Sequence, residues 1–275
     1  MDNRVSVVVV SGASSGIGNA CATFLAKKGN KVYGACRNPS SYSQKADEFF
    51  TMLPMELTDW TSVAKVAERV YTAEGKVDAL ICCAGSGLVG AIEDSSIEEA
   101  QAVMDVNFFG TLRTIKAFLP RMREAGKGRI LIVGALEGIA AVPYQGLYSA
   151  SEFALEALAE SLRLEVSAFG IDVGIIELGS FRTAFGQKRI ITAGAAESSP
   201  YKKMLATALG VLSSNEASGL EPLIAARAIY AAITARRMRS RKTTGPFTQR
   251  FIAYCRRCFP ARAFEHGLLK YFRLY

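Results

Sequence analysis

Half of the 275 residues are apolar, which suits one sizeable α/β domain and gives no reason to expect a second core. No apolar run reaches the roughly 18 residues that span a bilayer, and the first residues, Asp2 among them, lack a secretory signal pattern, so cytosolic residence is expected. The net charge of +8 resides in the tail: from Arg236 to Tyr275 eleven Lys/Arg face one acid, Glu265, leaving the first 235 residues at −2.

The first informative stretch is Val5 to Gly18, VSVVVVSGASSGIG. A β-branched run followed at once by glycines reads as a strand buried on both faces, opening into a helix near Ile17. Gly12 permits a tight turn, Gly16 lets backbone amides approach an anion, and Gly18 lets the helix pack against the strand. The helix N-terminus then meets a pyrophosphate. The helix that follows carries Ala20, Cys21, Phe24 and Leu25 on its apolar side and stops at Gly29-Asn30. A second strand, Lys31 to Cys36, ends at Arg37, where an arginine complements the 2′-phosphate of NADP better than an acid would. A third strand ends at Pro54-Met55-Glu56-Leu57, and Thr58-Asp59 starts the next helix.

The spacing Ser11-Gly12-x-x-x-Gly16-x-Gly18 resembles the short-chain dehydrogenase/reductase family. The resemblance implies a doubly wound (Rossmann), mostly parallel seven-stranded sheet with helices on both faces. It also implies a dinucleotide held by Gly12, Ser14, Ser15, Gly16, Ile17 and Gly18, with Arg37, Glu56 and Leu57 around the adenosine. Arg37 favours NADP(H) over NAD(H). Val77 to Gly85 is the fourth strand and its exit, where Cys82 and Cys83 stand at the family's asparagine positions and Cys83, Ala84 and Gly85 line the cofactor. Glu93 to Leu119 reads as one helix or two, and Asn107 matches the asparagine that shapes a proton-relay water site. Gly128 to Gly134 and Ile171 to Ile176 are further buried strands. After the latter, Gly179 and Thr183 match the segment that holds the nicotinamide carboxamide, with Leu178 in place of proline.

From Gly134 to Glu156 the wording is similar to the hydroxysteroid/retinol dehydrogenase branch. Its catalytic tyrosine is Tyr148, but its carbonyl-binding serine is Ala135 here and its lysine is Glu152. Residues i and i+4 share a helix face, so Glu152 should stand beside Tyr148 and disfavour the phenolate that lysine would favour. Ala135 offers no hydroxyl to a carbonyl. The expectation is an NADP(H)-binding oxidoreductase for a hydroxyl or ketone on an apolar, steroid-, retinoid- or lipid-like substrate, poor in conventional carbonyl reduction. The competing reading is a pseudoenzyme that keeps the dinucleotide as a structural or sensing ligand. Glu152 could still accept hydrogen bonds from ribose hydroxyls, and Glu137 could serve as an acid.

The main domain is read as residues 1–235, with a substrate lid at about 184–219, and residues 236–275 as a basic, aromatic extension on or near the substrate cleft. Two readings of that extension stand side by side: amphipathic helices over the cleft, or docking on an anionic membrane surface. No nucleic-acid-binding fold accompanies it, so no nucleic-acid partner is expected. The helices near Asn107 and after Tyr148 form dimer faces in relatives, which implies a homodimer. The six cysteines read as reduced thiols. Cys255-Arg-Arg-Cys258 lacks the second pair a metal site would need.

Overall fold

A computed structural model of the chain describes residues 6–39, 49–195 and 198–275; Asp2, Val5 and positions 196 and 197 of the expected lid lie outside the described residues. In chain order the elements are β1 (Val7–Ser11), α1 (Gly16–Lys27), β2 (Lys31–Cys36), β3 (Thr51–Pro54), α2 (Trp60–Glu74), β4 (Ala79–Cys82) and the two-residue β5 (Leu88–Val89). Next come α3 (Ile97–Met104), a π-helical turn at Asp105–Phe109, α4 (Gly110–Glu124), β6 (Gly128–Ala135), α5 (Gly146–Val166) and β7 (Ile171–Leu178). The chain closes with β8 (Ile190–Ile191), α6 (Lys202–Ala217), α7 (Pro222–Thr234), β9 (Arg241–Thr244), α8 (Phe247–Cys258) and α9 (Ala261–Tyr271).

Seven strands form one sheet in the order β3-β2-β1-β4-β6-β7-β9, and every neighbouring pair is parallel. Alternation along each strand builds two cores. Val7, Val9, Leu80, Ile130 and Ile132 face α2, α4 and α5, while Val8, Val10, Ile81, Leu131 and Ile176 face α1 and α7. Both strand faces are therefore apolar, which is why these segments read as unbroken hydrophobic runs. Strand order reverses between β1 and β4, so a crevice opens beyond their C-terminal ends.

Local signals set several boundaries. Asp59 caps α2 by accepting from the Thr61 amide at 2.8 Å, and Ser96 and Glu99 form a reciprocal capping box on α3. The third strand lies earlier than expected, at Thr51–Pro54, with the Met55 amide still bonded to the Cys36 carbonyl at 2.8 Å. The helical stretch expected to end at Leu119 continues through Pro120 to Glu124.

β9 pairs with β7, Leu178 opposite Thr244, so the last strand of the sheet comes from beyond Ala235 and only α8 and α9 follow it. The strand Arg-Lys-Thr-Thr has no apolar run because it is an edge strand, where charge guards against further pairing. Arg241 turns its charge to use by ion-pairing with Glu156, Glu160 and Glu177. Among the described residues no helix is long and apolar enough to cross a membrane.

Candidate active site

The β1–α1 turn supplies the anion cradle. Gly12 (φ 71°) and Gly16 (φ 56°) take left-handed conformations. A Cβ on Gly12 would lie 2.8 Å from the Ala84 Cα, and one on Gly18 would collide with the Gly12 carbonyl oxygen. Ser15 precedes α1 without a side-chain capping bond, so the first amides of the helix carry no side-chain cap. These features fit a dinucleotide diphosphate at the helix N-terminus. Ser14 bonds the Cys36 thiol, and Ile17 packs into the α1–α7 core. With cysteines at the family's asparagine positions, the exit of β4 is anchored instead by Ser11, whose hydroxyl accepts from the Cys83 and Ala84 amides at 3.0 and 3.3 Å.

The remaining cofactor candidates surround the same crevice. Arg37 is exposed just past β2 and pairs with no carboxylate among the described residues. The Glu56 carboxylate is occupied locally, accepting from the Thr58 amide (3.2 Å) and hydroxyl (3.0 Å), while Leu57 packs against Gly110. Gly85 adjoins the Asn107 amide oxygen. Gly179 donates to Thr244 at 2.9 Å, and Thr183 stands over Gly16.

Tyr148 and Glu152 lie one turn apart on the buried side of α5. Glu152 is held inward: its Oε2 accepts from the Ala135 amide at 2.8 Å, in space that a side chain at Gly134 would narrow. The Tyr148 phenol lies beside the same carboxyl group. Burial first, and then the neighbouring Glu152, push the phenol well above its ordinary range. Burial, with Glu137 second, raises Glu152 to about 8. The pair holds its protons near neutral pH. Glu152 thus turns back to β6.

Asn107 sits in the π-helical turn, a helix irregularity common at functional sites. Its side chain accepts from the Ser86 amide (2.8 Å) and donates to the Ser86 carbonyl (3.0 Å) and the Ser151 hydroxyl (2.9 Å). Ser151 in turn donates to the Tyr148 carbonyl at 2.7 Å. Both amide hydrogens of Asn107 are therefore spent, one on the loop after β4 and one on α5.

A family model described as short chain dehydrogenase matches residues 6–192. The chain belongs to the short-chain dehydrogenase family. It is 34% identical over 262 residues to a 3-ketodihydrosphingosine reductase from Bacteroides thetaiotaomicron, covering 95% of this chain and 96% of that one. It is 38% identical over 195 residues to human 17-beta-hydroxysteroid dehydrogenase type 1, covering 66% of this chain but only 59% of that longer protein. Among solved structures, a short-chain dehydrogenase from Streptomyces avermitilis superposes with a TM-score of 0.83 at 28% identity, covering 100% of this chain and 98% of that one.

Four residues around Tyr148 in this short-chain dehydrogenase were not assembled by sequence reasoning. Glu137, on the short turn after β6, lies close enough to raise the phenol further. Its own carboxyl is raised to about 7, first by burial and then by Glu216, against the lowering effect of Arg189. Arg189 is almost wholly buried and ion-paired with Glu216 of α6. Phe185 places its ring 6.1 Å from that of Tyr148. The only sequence signal was Glu137's nearness to the missing serine; Arg189 and Glu216 arrive from an Ala/Ser/Gly-rich stretch with no motif. Next to Glu137, an apolar cavity runs under α8 and α9, lined by Leu136, Ile252, Leu268 and Phe272.

Proposed function

We propose that this chain binds NADP(H) and acts on a hydroxyl or ketone of an apolar, steroid-, retinoid- or lipid-like substrate, with weak conventional carbonyl reduction. The observation that carries the proposal is the uncapped, glycine-lined start of α1, with Tyr148 buried beside the same crevice. The activities named for the relatives and the apolar cavity under α8 and α9 support the substrate class.

A bound nicotinamide supplies or accepts the hydride. The chain's own residues must move the proton, and here they are poorly placed to do so. The Tyr148 phenol is buried beside the Glu152 carboxyl, which opposes its ionisation, and Ala135 has no hydroxyl to polarise a carbonyl. That inward carboxyl favours a second reading, a dinucleotide-binding pseudoenzyme. Turnover of apolar ketones or alcohols by the purified chain separates the two.

NADP(H) is preferred over NAD(H) in this proposal because Arg37 is exposed and without a carboxylate partner among the described residues. Arg37→Ala is expected to weaken NADPH binding by about tenfold, the scale of one charge-assisted contact, and to leave NADH unchanged. Fluorescence titration with both nucleotides reads this directly. Equal loss for both would remove Arg37 from the 2′-phosphate.

The same proposal includes a homodimer through the exposed Phe109, Phe153 and Leu164 around α4 and α5, and peripheral contact with an anionic membrane through α8. Phe247, Phe251, Tyr254 and Cys258 form the outer stripe of α8, exposed at spacings of four, three and four, with Arg250 and Arg257 beside it. The Phe247 and Phe251 rings stack at 6.1 Å in solvent. An aromatic stripe with flanking cations suits acidic lipid headgroups. Changing both Phe247 and Phe251 to Ala is expected to lower binding to phosphatidylserine vesicles by at least about tenfold, following the apolar area lost. The double variant is preferable to truncation after Ala235, which would also remove β9. Unchanged sedimentation with vesicles would dismiss this contact.

A further inference from the structure

We propose that Lys188 binds the diphosphate of the dinucleotide, an inference that rests on the crevice taking such a ligand. Lys188 ends a short turn, Gly186–Lys188, in the segment after β7. Its Nζ lies 3.5 Å from the Ser15 hydroxyl, although 173 residues separate the two in the chain. Ser15 is the residue that precedes α1 without capping it.

The electrostatics make this an incomplete arrangement. A helix N-terminus carries partial positive charge from its unpaired amides, and an ammonium is disfavoured there unless an anion lies between them. α1 has no acid in its first turn, and Lys188 pairs with no carboxylate among the described residues. Two positive groups therefore converge on one spot where the chain supplies no negative charge.

The convergence is imposed by the backbone around Lys188. Ile190 donates to the Gly87 carbonyl at 2.9 Å and β8 pairs with β5. Arg189 donates to the Gly186 carbonyl at 2.8 Å and pairs with Glu216. Thr183 packs over Gly16 at the other end of the segment. An exposed lysine on a free loop would swing away from α1; this one is carried by a strap fastened on both sides.

A diphosphate is common to NADH and NADPH, so Lys188 contributes to affinity without choosing between them. Arg37, at the far end of the adenosine, should choose. The test is titration of the full chain and of Lys188→Ala, Lys188→Arg and Arg37→Ala with NADH and with NADPH, each at low and moderate salt. Lys188→Ala is expected to weaken both nucleotides by the same factor, about five- to tenfold, and to flatten the salt dependence, while Lys188→Arg keeps most of the affinity. The melting temperature without ligand should not change, because the side chain is exposed. Unaltered affinity, or a loss confined to NADPH, would overturn the assignment. If the parent chain binds NADPH but Lys188→Ala binds it equally well, only Lys188 falls; if the parent binds neither nucleotide, the dinucleotide reading falls with it.

Discussion

Changing Ala135 to Ser and Glu152 to Lys together is expected to speed NADPH-dependent reduction of apolar ketones by at least about a hundredfold, the cost typically seen when one carbonyl-stabilising donor is removed. Serine at 135 would place a hydroxyl at the end of β6, where the structure now has only a methyl group. Lysine at 152 would remove the carboxyl that opposes ionisation of Tyr148 and replace it with a charge that favours the phenolate. Gly134 leaves space for a longer side chain to lie against the strand. Each single change should recover little, because residues that act as a unit are strongly non-additive. The comparison is steady-state nicotinamide oxidation by the parent, both single variants and the double variant over one ketone panel. A double variant as slow as the parent would show that the tyrosine is not held for proton transfer. Double-variant turnover in a parent that binds NADPH without turnover would favour the pseudoenzyme reading.

Stability is expected to fall as pH rises from about 5 to 9, opposite to a protein held by paired carboxylates. Glu137, Glu152 and Glu177 have folded pKa values raised to about 7, 8 and 9 from the ordinary 4.5. For each, burial is the first cause; Glu177, fully enclosed, is raised further by the neighbouring Glu156 carboxyl. Between the unfolded and folded values the native state binds more protons than the unfolded chain. The contribution of these groups is therefore fully present below the unfolded pKa near 4.5 and is lost as pH rises through each folded pKa. Each pH unit that separates the unfolded from the folded pKa corresponds to about 1.4 kcal/mol, so Glu152 alone accounts for a few kcal/mol, on the order of 10 °C in Tm. Glu152→Gln keeps an acceptor for the Ala135 amide and removes the titration, so its Tm should depend less on pH. Thermal melts of both chains across pH 5 to 9 check this. A parent whose Tm holds or climbs with pH would mean that these carboxyls are ionised in the fold.

The sheet was legible because strands buried on both faces announce themselves: VVVV in β1 and ILIV in β6 have no polar side to hide. The nucleotide cradle was legible because only glycine satisfies Gly12 and Gly18, one by its left-handed backbone and the other by close approach. β9 escaped because an edge strand can be polar; its Arg241 finds its partners, Glu156 and Glu177, on α5 and β7. The place of Glu152 beside Tyr148 followed from helical spacing, but its inward turn to the Ala135 amide did not, since spacing says nothing of what a carboxyl will reach. Lys188 and Arg189 were invisible for a related reason. Their significance comes from the strap between Thr183 and Ile191, which the β5–β8 pairing brings across the crevice.

Everything functional here depends on the cradle at the start of α1 accepting a dinucleotide beside a buried phenol that a neighbouring carboxyl keeps from ionising. Calorimetric titration of the unaltered chain with NADPH tests this most directly. The predicted result is saturable binding of one nucleotide per chain, tighter than for NADH. No heat of binding with either nucleotide would contradict it.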